Sequence, residues 1–165
     1  MNEKALIIGV LIVLGILGLM WMGSRNQVEV ISSDDQLSKS SLITQEILYD
    51  FGTISMKNGN VSHLFKVTNP TDKDITIKTV TTSCMCTKAF IVGANGEKGP
   101  FGMPGMGFVP PANEILKAGE SLDVKAVYDP NAHGPAGVGP IDRFIFLKEA
   151  SGEMLELEIK AVVVP

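Results

Sequence analysis

From Glu46 to the C-terminus, apolar and polar residues alternate in short runs with a period of two, which predicts β-strands rather than helices. Ile47-Leu48-Tyr49 leads into Asp50-Phe51-Gly52. Val61, His63, Phe65 and Val67 share one face of the next run, and Ile75 and Ile77 alternate with Thr76 and Lys78. Leu122, Val124, Ala126 and Tyr128 share a face further on. Phe144 and Phe146 alternate with Arg143, Ile145 and Leu147, so that strand is apolar on both sides and predicted to be central. Leu155, Leu157, Ile159, Ala161 and Val163 make a last long alternating strand. Turn residues separate the runs, among them Lys57-Asn58-Gly59-Asn60, Asn69-Pro70-Thr71-Asp72 and Ala150-Ser151-Gly152-Glu153. The pattern predicts an all-β domain over 46–165, folded as an antiparallel sandwich of two sheets.

The first residues follow a different rule. Ala5 to Met22 is uncharged and apolar. As a helix it would span about 27 Å at roughly 1.5 Å per residue, close to the hydrocarbon core of a bilayer. Trp21 near its end suits an interfacial anchor, and it stands with Met22 where a cleavable signal would want small residues. Residues 1–22 are therefore read as a single transmembrane anchor, contacting the membrane through 5–22. The short N-terminal tail favours the C-terminal domain lying outside the cytoplasm. Lys4 before the span and Arg25 after it give the positive-inside rule little to work on. Residues 23–45 are polar and serine-rich, and read as a flexible tether with a reach of roughly 25 Å.

One insertion breaks the strand rhythm. Residues 93–112, GANGEKGPFGMPGMGFVPPA, are rich in Gly and Pro and are expected to form a surface loop. The run is too short and too enclosed for a collagen-like stalk, and it has neither of the glycine patterns that cradle phosphates. Phe101, Met103, Met106 and Phe108 give it an apolar character. The plain reading folds them onto the sandwich; the functional reading makes them an adaptable surface for a protein partner.

The net charge of −4 comes without any cluster of Lys or Arg, which argues against a nucleic-acid partner and against an electrostatic grip on lipid. The two cysteines, Cys84 and Cys86, stand one residue apart after a strand. In an extended strand their α-carbons would lie near 7 Å, at the limit for a disulfide, so such a bond requires a bent backbone. The plain reading is two small buried thiols or a disulfide closing a turn. A sharper reading is a soft-metal site: two thiolates can hold Cu(I) or Zn(II), with Met85, Met103, Met106 or His63 completing a Cu(I) shell. The plain reading expects no cofactor; on the sharper one, nearby thioether sulfur favours copper. A thiol-redox role is a third reading, though no helix N-terminus is available to lower a thiol pKa. His63 lies on the apolar face of its strand and His133 in a loop expected to face solvent. Asp50 and Asp129 read as turn formers rather than as a catalytic pair, and no residue set points to an enzyme.

Taken in order, Asp50-Phe51-Gly52-Thr53-Ile54, His63-x-Phe65-x-Val67-x-Asn69, Ser83-Cys84-x-Cys86-Thr87, Ala118-Gly119-Glu120-Ser121 and Val127-Tyr128-Asp129 resemble an uncharacterised bacterial family, DUF fifteen-seventy-three. The resemblance runs from about Ile47 to the C-terminus, apart from the glycine-rich insertion. It implies an Ig-like sandwich, exported or membrane-associated, and no established activity. The chain departs from the family pattern in two places. Met85 stands where glycine is usual, and a non-glycine residue resists the positive φ that a glycine turn allows. The insertion after Val92 is also longer than usual. The combined expectation is a membrane-anchored, non-enzymatic Ig-like domain that contacts another protein through its sheet edges or its insertion.

Overall fold

A computed structural model describes residues 40–93 and 96–165. Ten strands form the fold: β1 (Ile43–Thr44), β2 (Leu48–Ser55), β3 (Val61–Thr68), β4 (Ile75–Thr82), β5 (Thr87–Gly93), β6 (Gly96–Phe101), β7 (Glu114–Leu116), β8 (Ser121–Tyr128), β9 (Gly139–Glu149) and β10 (Met154–Val164). They make two five-stranded sheets, ordered β1-β3-β8-β5-β6 and β2-β10-β9-β4-β7. The predicted all-β, two-sheet architecture is what forms. Its pairs are antiparallel except β2 with β10, which run parallel. The exception arises because the first part of the chain is shared: β1 lies in one sheet and β2 crosses to the other.

The period-two pattern determines which side chains fill the space between the sheets. Phe65, Val67, Val124 and Ala126 from the first sheet and Val80, Ile145, Leu147, Leu157 and Ile159 from the second are all fully buried. Each large apolar side chain buried this way stabilises the fold by about 1.5–3 kcal/mol. β9 is central, between β10 and β4, as its two apolar faces predict. Ile145 and Leu147 point into the core while Phe144 and Phe146, stacked at 6.3 Å, are half-buried on the outer face.

Two boundaries differ from expectation. The tether predicted for 23–45 does not reach Gln45. Leu42 is buried, and β1 pairs with the end of β3. The buried Glu149 carboxylate accepts from Ser40 Oγ and from the backbone N–H groups of Ser41 and Leu42, while Ser41 Oγ donates to Glu153. A charged residue near the end of a strand carries no sequence mark of this role, because its partners lie about a hundred positions away. The anchor expected at 5–22 and the tether up to residue 39 lie outside the described residues. Among the described residues no helix is long and apolar enough to cross a membrane.

The insertion is also not one loop. Gly96–Phe101 pairs with β5 as β6, and Phe101 and Ala112 are fully buried. Glycine and proline hide the strand from the pattern, since they contribute no alternating side chains. What places β6 is the open backbone edge of β5. Among the described residues of the insertion, the stretch beyond the strands is 102–113.

Candidate functional site

The corner joining β4 to β5 carries the protein's soft chemistry. It crosses from one sheet to the other, so the backbone must turn within Ser83–Cys86. Neighbouring strands hold that turn. Ser83 N–H donates to the Phe144 carbonyl at 3.0 Å and Phe144 N–H returns a bond to Ser83 Oγ at 2.9 Å. Thr87 N–H donates to the Cys84 carbonyl at 3.1 Å, and Asp129 N–H to the Cys86 carbonyl at 2.9 Å. The buried Thr82 hydroxyl reaches the carbonyls of both Cys84 and Thr87 at 3.0 Å. The bend brings the two cysteine α-carbons to 5.3 Å, and Cys84 and Cys86 are joined as a disulfide. The disulfide reading is therefore the one observed, reached by the backbone bend that an extended strand would not provide. Met85 makes the turn without positive φ: Asn113 is the one non-glycine residue in that region among those described. The glycine of the family pattern is not required by this backbone.

Two basic side chains flank the sulfurs. His133 Nε2 lies 3.3 Å from Cys84 Sγ, and Arg143 Nε–H donates to Cys86 Sγ at 3.3 Å. Cys86 N–H also points at Cys84 Sγ, at 3.4 Å. Cys86 is buried, Cys84 is half-buried and His133 is exposed, so the group opens to solvent on the His133 side. The donor atoms of Cys84, Cys86 and His133 all lie within 4.8 Å of one another. Tyr128, buried beneath the corner, has its hydroxyl pKa raised by burial, with Arg143 lowering it and Asp129 raising it further.

The imidazole at the cysteines is His133, not the predicted His63. His63 Nε2 binds Glu46 at 2.8 Å, and its ring stacks on Tyr49 with centroids 3.6 Å apart. Strand alternation places His63 on the apolar face of its strand, which by itself argues for a core-edge histidine rather than a ligand. His133 arrives because the turn after β8, held by Asp129, folds back over the corner, and loop geometry of that kind leaves no periodic mark. Arg143 was legible only as a strand residue. Asp129 forms a turn as predicted, accepting from Asn131 N–H at 2.8 Å; Asp50 instead lies within β2, where it accepts from Gly52 N–H at 2.8 Å beside a register shift.

Of the four proposed contact residues, Phe101 is a correction: it is fully buried and belongs to the core, because β6 carries it inward. Met103 is half-buried, with its carbonyl accepting from Met106 N–H. Met106 is 54% exposed and Phe108 87% exposed. The loop that presents them is fastened at both ends to β4, through Thr82 N–H to the Gly102 carbonyl and Ala112 N–H to the Lys78 carbonyl.

Residues 42–100 match the model of a family described as "Protein of unknown function (DUF1573)", a stretch that includes both cysteines. No curated protein matches the chain. Among solved structures, a protein of unknown function from Porphyromonas gingivalis W83 is similar at 15% identity and a TM-score of 0.52, over 73% of this chain and 46% of that one. A family 123 glycoside hydrolase from Clostridium perfringens is similar at 6% identity and a TM-score of 0.51, over 72% of this chain and 23% of that one. The chain spans less than half the length of either protein, and at such identities the likeness is one of fold. The comparisons thus leave a two-sheet β fold in which residues 42–100 match the model of a family of unknown function.

Proposed function

We propose that this protein is a non-enzymatic interaction or assembly module: an Ig-like domain held outside the cytoplasm by an anchor at 5–22, with the loop 102–113 as its contact with another protein. The observation behind the contact is Phe108, an aromatic ring 87% exposed beside Met106 at the tip of a loop whose base is hydrogen-bonded into the sandwich. An exposed aromatic and a methionine on a fixed base suit insertion into an apolar pocket of a partner, where aromatic anchors contribute most of the binding energy. The Ig-like reading is supported by the strand order, with the first strand split between the sheets and its second half running parallel to the last strand. Most sheet edges are poor templates for a partner strand. β1 and β7 are two and three residues long, β2 is bulged against β10 at Phe51-Gly52, and β6 contains Pro100. The open stretch Val61–Lys66 of β3, beyond the reach of β1, is the exception.

The test places a photo-crosslinking phenylalanine at position 108 of the full-length chain in its producing cell. A discrete adduct with one identified protein is expected, and purified partner should bind the wild-type chain and lose affinity for Phe108→Ser. Absence of an adduct from position 108, or equal binding by Phe108→Ser, would discard the contact. Protease accessibility in intact and opened cells tests the orientation: digestion of the domain only after lysis of the inner membrane would overturn the extracytoplasmic placement.

A further inference from the structure

The corner holds more chemistry than a turn-closing disulfide needs. Both sulfurs receive N–H groups, Cys84 from the Cys86 backbone and Cys86 from the Arg143 guanidinium. Hydrogen bonds of this kind strengthen when the sulfur carries negative charge. The other basic side chain, His133, meets Cys84 from the solvent side through Nε2, an atom able to bind a metal when the ring is neutral. Two prospective thiolates, an imidazole nitrogen and a fixed cation are thus gathered by three separate segments: the corner, the turn after β8, and strand β9.

We propose that the reduced corner is a Cu(I) site, with Cys84 Sγ, Cys86 Sγ and His133 Nε2 as ligands and Arg143 as countercharge, and that the Cys84–Cys86 disulfide is its closed, metal-free form. Ligand type selects a soft ion, since thiolate and imidazole suit Cu(I) and Zn(II) alike and disfavour hard cations. Charge and number then separate those two. Two thiolates, one Cu(I) and one guanidinium sum to zero, whereas Zn(II) leaves an excess positive charge beside Arg143. The group of three also falls one short of the four ligands a structural Zn(II) site takes. Arg143 acts on the metal through Cys86 and is a positioning residue, in the way outer-shell partners orient and tune ligands.

The disulfide makes the site conditional on redox state. A dithiol reductant supplies two electrons and two protons, becoming a disulfide itself and leaving Cys84 and Cys86 as thiols. Binding of Cu(I) then releases the two thiol protons and forms two copper–sulfur bonds and one copper–nitrogen bond. Cys86 is buried, so the ion enters from the side of Cys84 and His133, and the same opening permits transfer to a competing ligand. This inference does not depend on the loop 102–113 being a contact surface.

The test is an anaerobic titration of the full-length chain against Cu(I) held by bicinchoninate, with the chain in its disulfide form and after reduction and removal of reductant. One equivalent should pass from the chelator to the reduced chain and none to the oxidised chain. X-ray absorption of the loaded protein should show sulfur and nitrogen neighbours. His133→Ala should lose the nitrogen neighbour, and Arg143→Gln should weaken binding about 10- to 100-fold while Arg143→Lys restores part of it. Zn(II) should not displace the copper. Unchanged thermal midpoints of the oxidised variants separate loss of ligand from loss of fold. Failure of the reduced chain to compete, equal uptake by the oxidised chain, or an unaltered copper environment in His133→Ala would each overturn the proposal.

Discussion

The corner 83–86 and the loop 102–113 both interrupt the strand pattern, and both are fastened to β4. The corner begins where β4 ends, and the loop leaves and rejoins the sandwich through hydrogen bonds to Thr82 and Lys78. Their surfaces are opposite in kind. The corner turns its chemistry inward: Cys86 is buried, the carbonyls of Cys84 and Cys86 are occupied, and the polar groups around it converge on two sulfur atoms. The loop turns outward and leaves Met106 and Phe108 in solvent. The corner spans the gap between sheets and has to satisfy every buried backbone group within four residues, which leaves little freedom. The loop connects two edge strands with a dozen residues, so only its ends are constrained. Rigid chemistry and an adaptable contact can therefore sit on one small framework without competing for the same residues.

Substitutions can break or sharpen this contrast. The largest effect is expected at the root of the loop. Phe101→Ala, which empties a fully buried site, should destabilise the domain by about 3–5 kcal/mol in denaturant unfolding. A small effect there would mean that the loop's base is not part of the core. Next is the corner's internal support. Thr82→Val removes the hydroxyl shared by the Cys84 and Thr87 carbonyls and should cost about 1–2 kcal/mol. Removal of Met85 restores the glycine of the family pattern in a turn that does not use positive φ. Met85→Gly should therefore lower stability by about 0.5–1 kcal/mol through added freedom in the unfolded chain. A gain in stability would show that the turn is strained by a side chain after all. The smallest effect is at the tip, where Phe108→Ser should change stability by less than about 0.5 kcal/mol while affecting partner binding. Similar stability losses from Phe108→Ser and Phe101→Ala would erase the distinction between root and tip.

Six of the ten described strands were legible from the alternation of apolar residues. β8 shows this most clearly, since Leu122, Val124, Ala126 and Tyr128 are all buried as their spacing predicts. β5 and β7 were not read from the pattern, although Ala89 and Ile91 of β5 alternate into the core, and two further misses have a plain physical cause. β6 has no alternation to read, since Gly96, Gly99 and Pro100 contribute little side-chain pattern and its place depends on β5. The first strand was missed because Ile43–Thr44 is too short to carry a period, and its register depends on the end of β3. At the candidate site, Cys84 and Cys86 announced themselves by type and spacing. His133 and Arg143 did not, since each reaches the sulfurs from a distant part of the chain.

Sequence alone determined the all-β class, the central position of β9 and the soft character of the Cys-X-Cys corner, because these follow from local alternation and residue type. The apolar run at 5–22 and the near-balanced charge are likewise properties of the chain itself. Tertiary structure decided which imidazole meets the cysteines, which apolar residues of the insertion stay in solvent and where the fold begins. Those outcomes depend on contacts between residues far apart in the chain, such as Cys84 with His133 and Ser41 with Glu149, and no local periodicity encodes them.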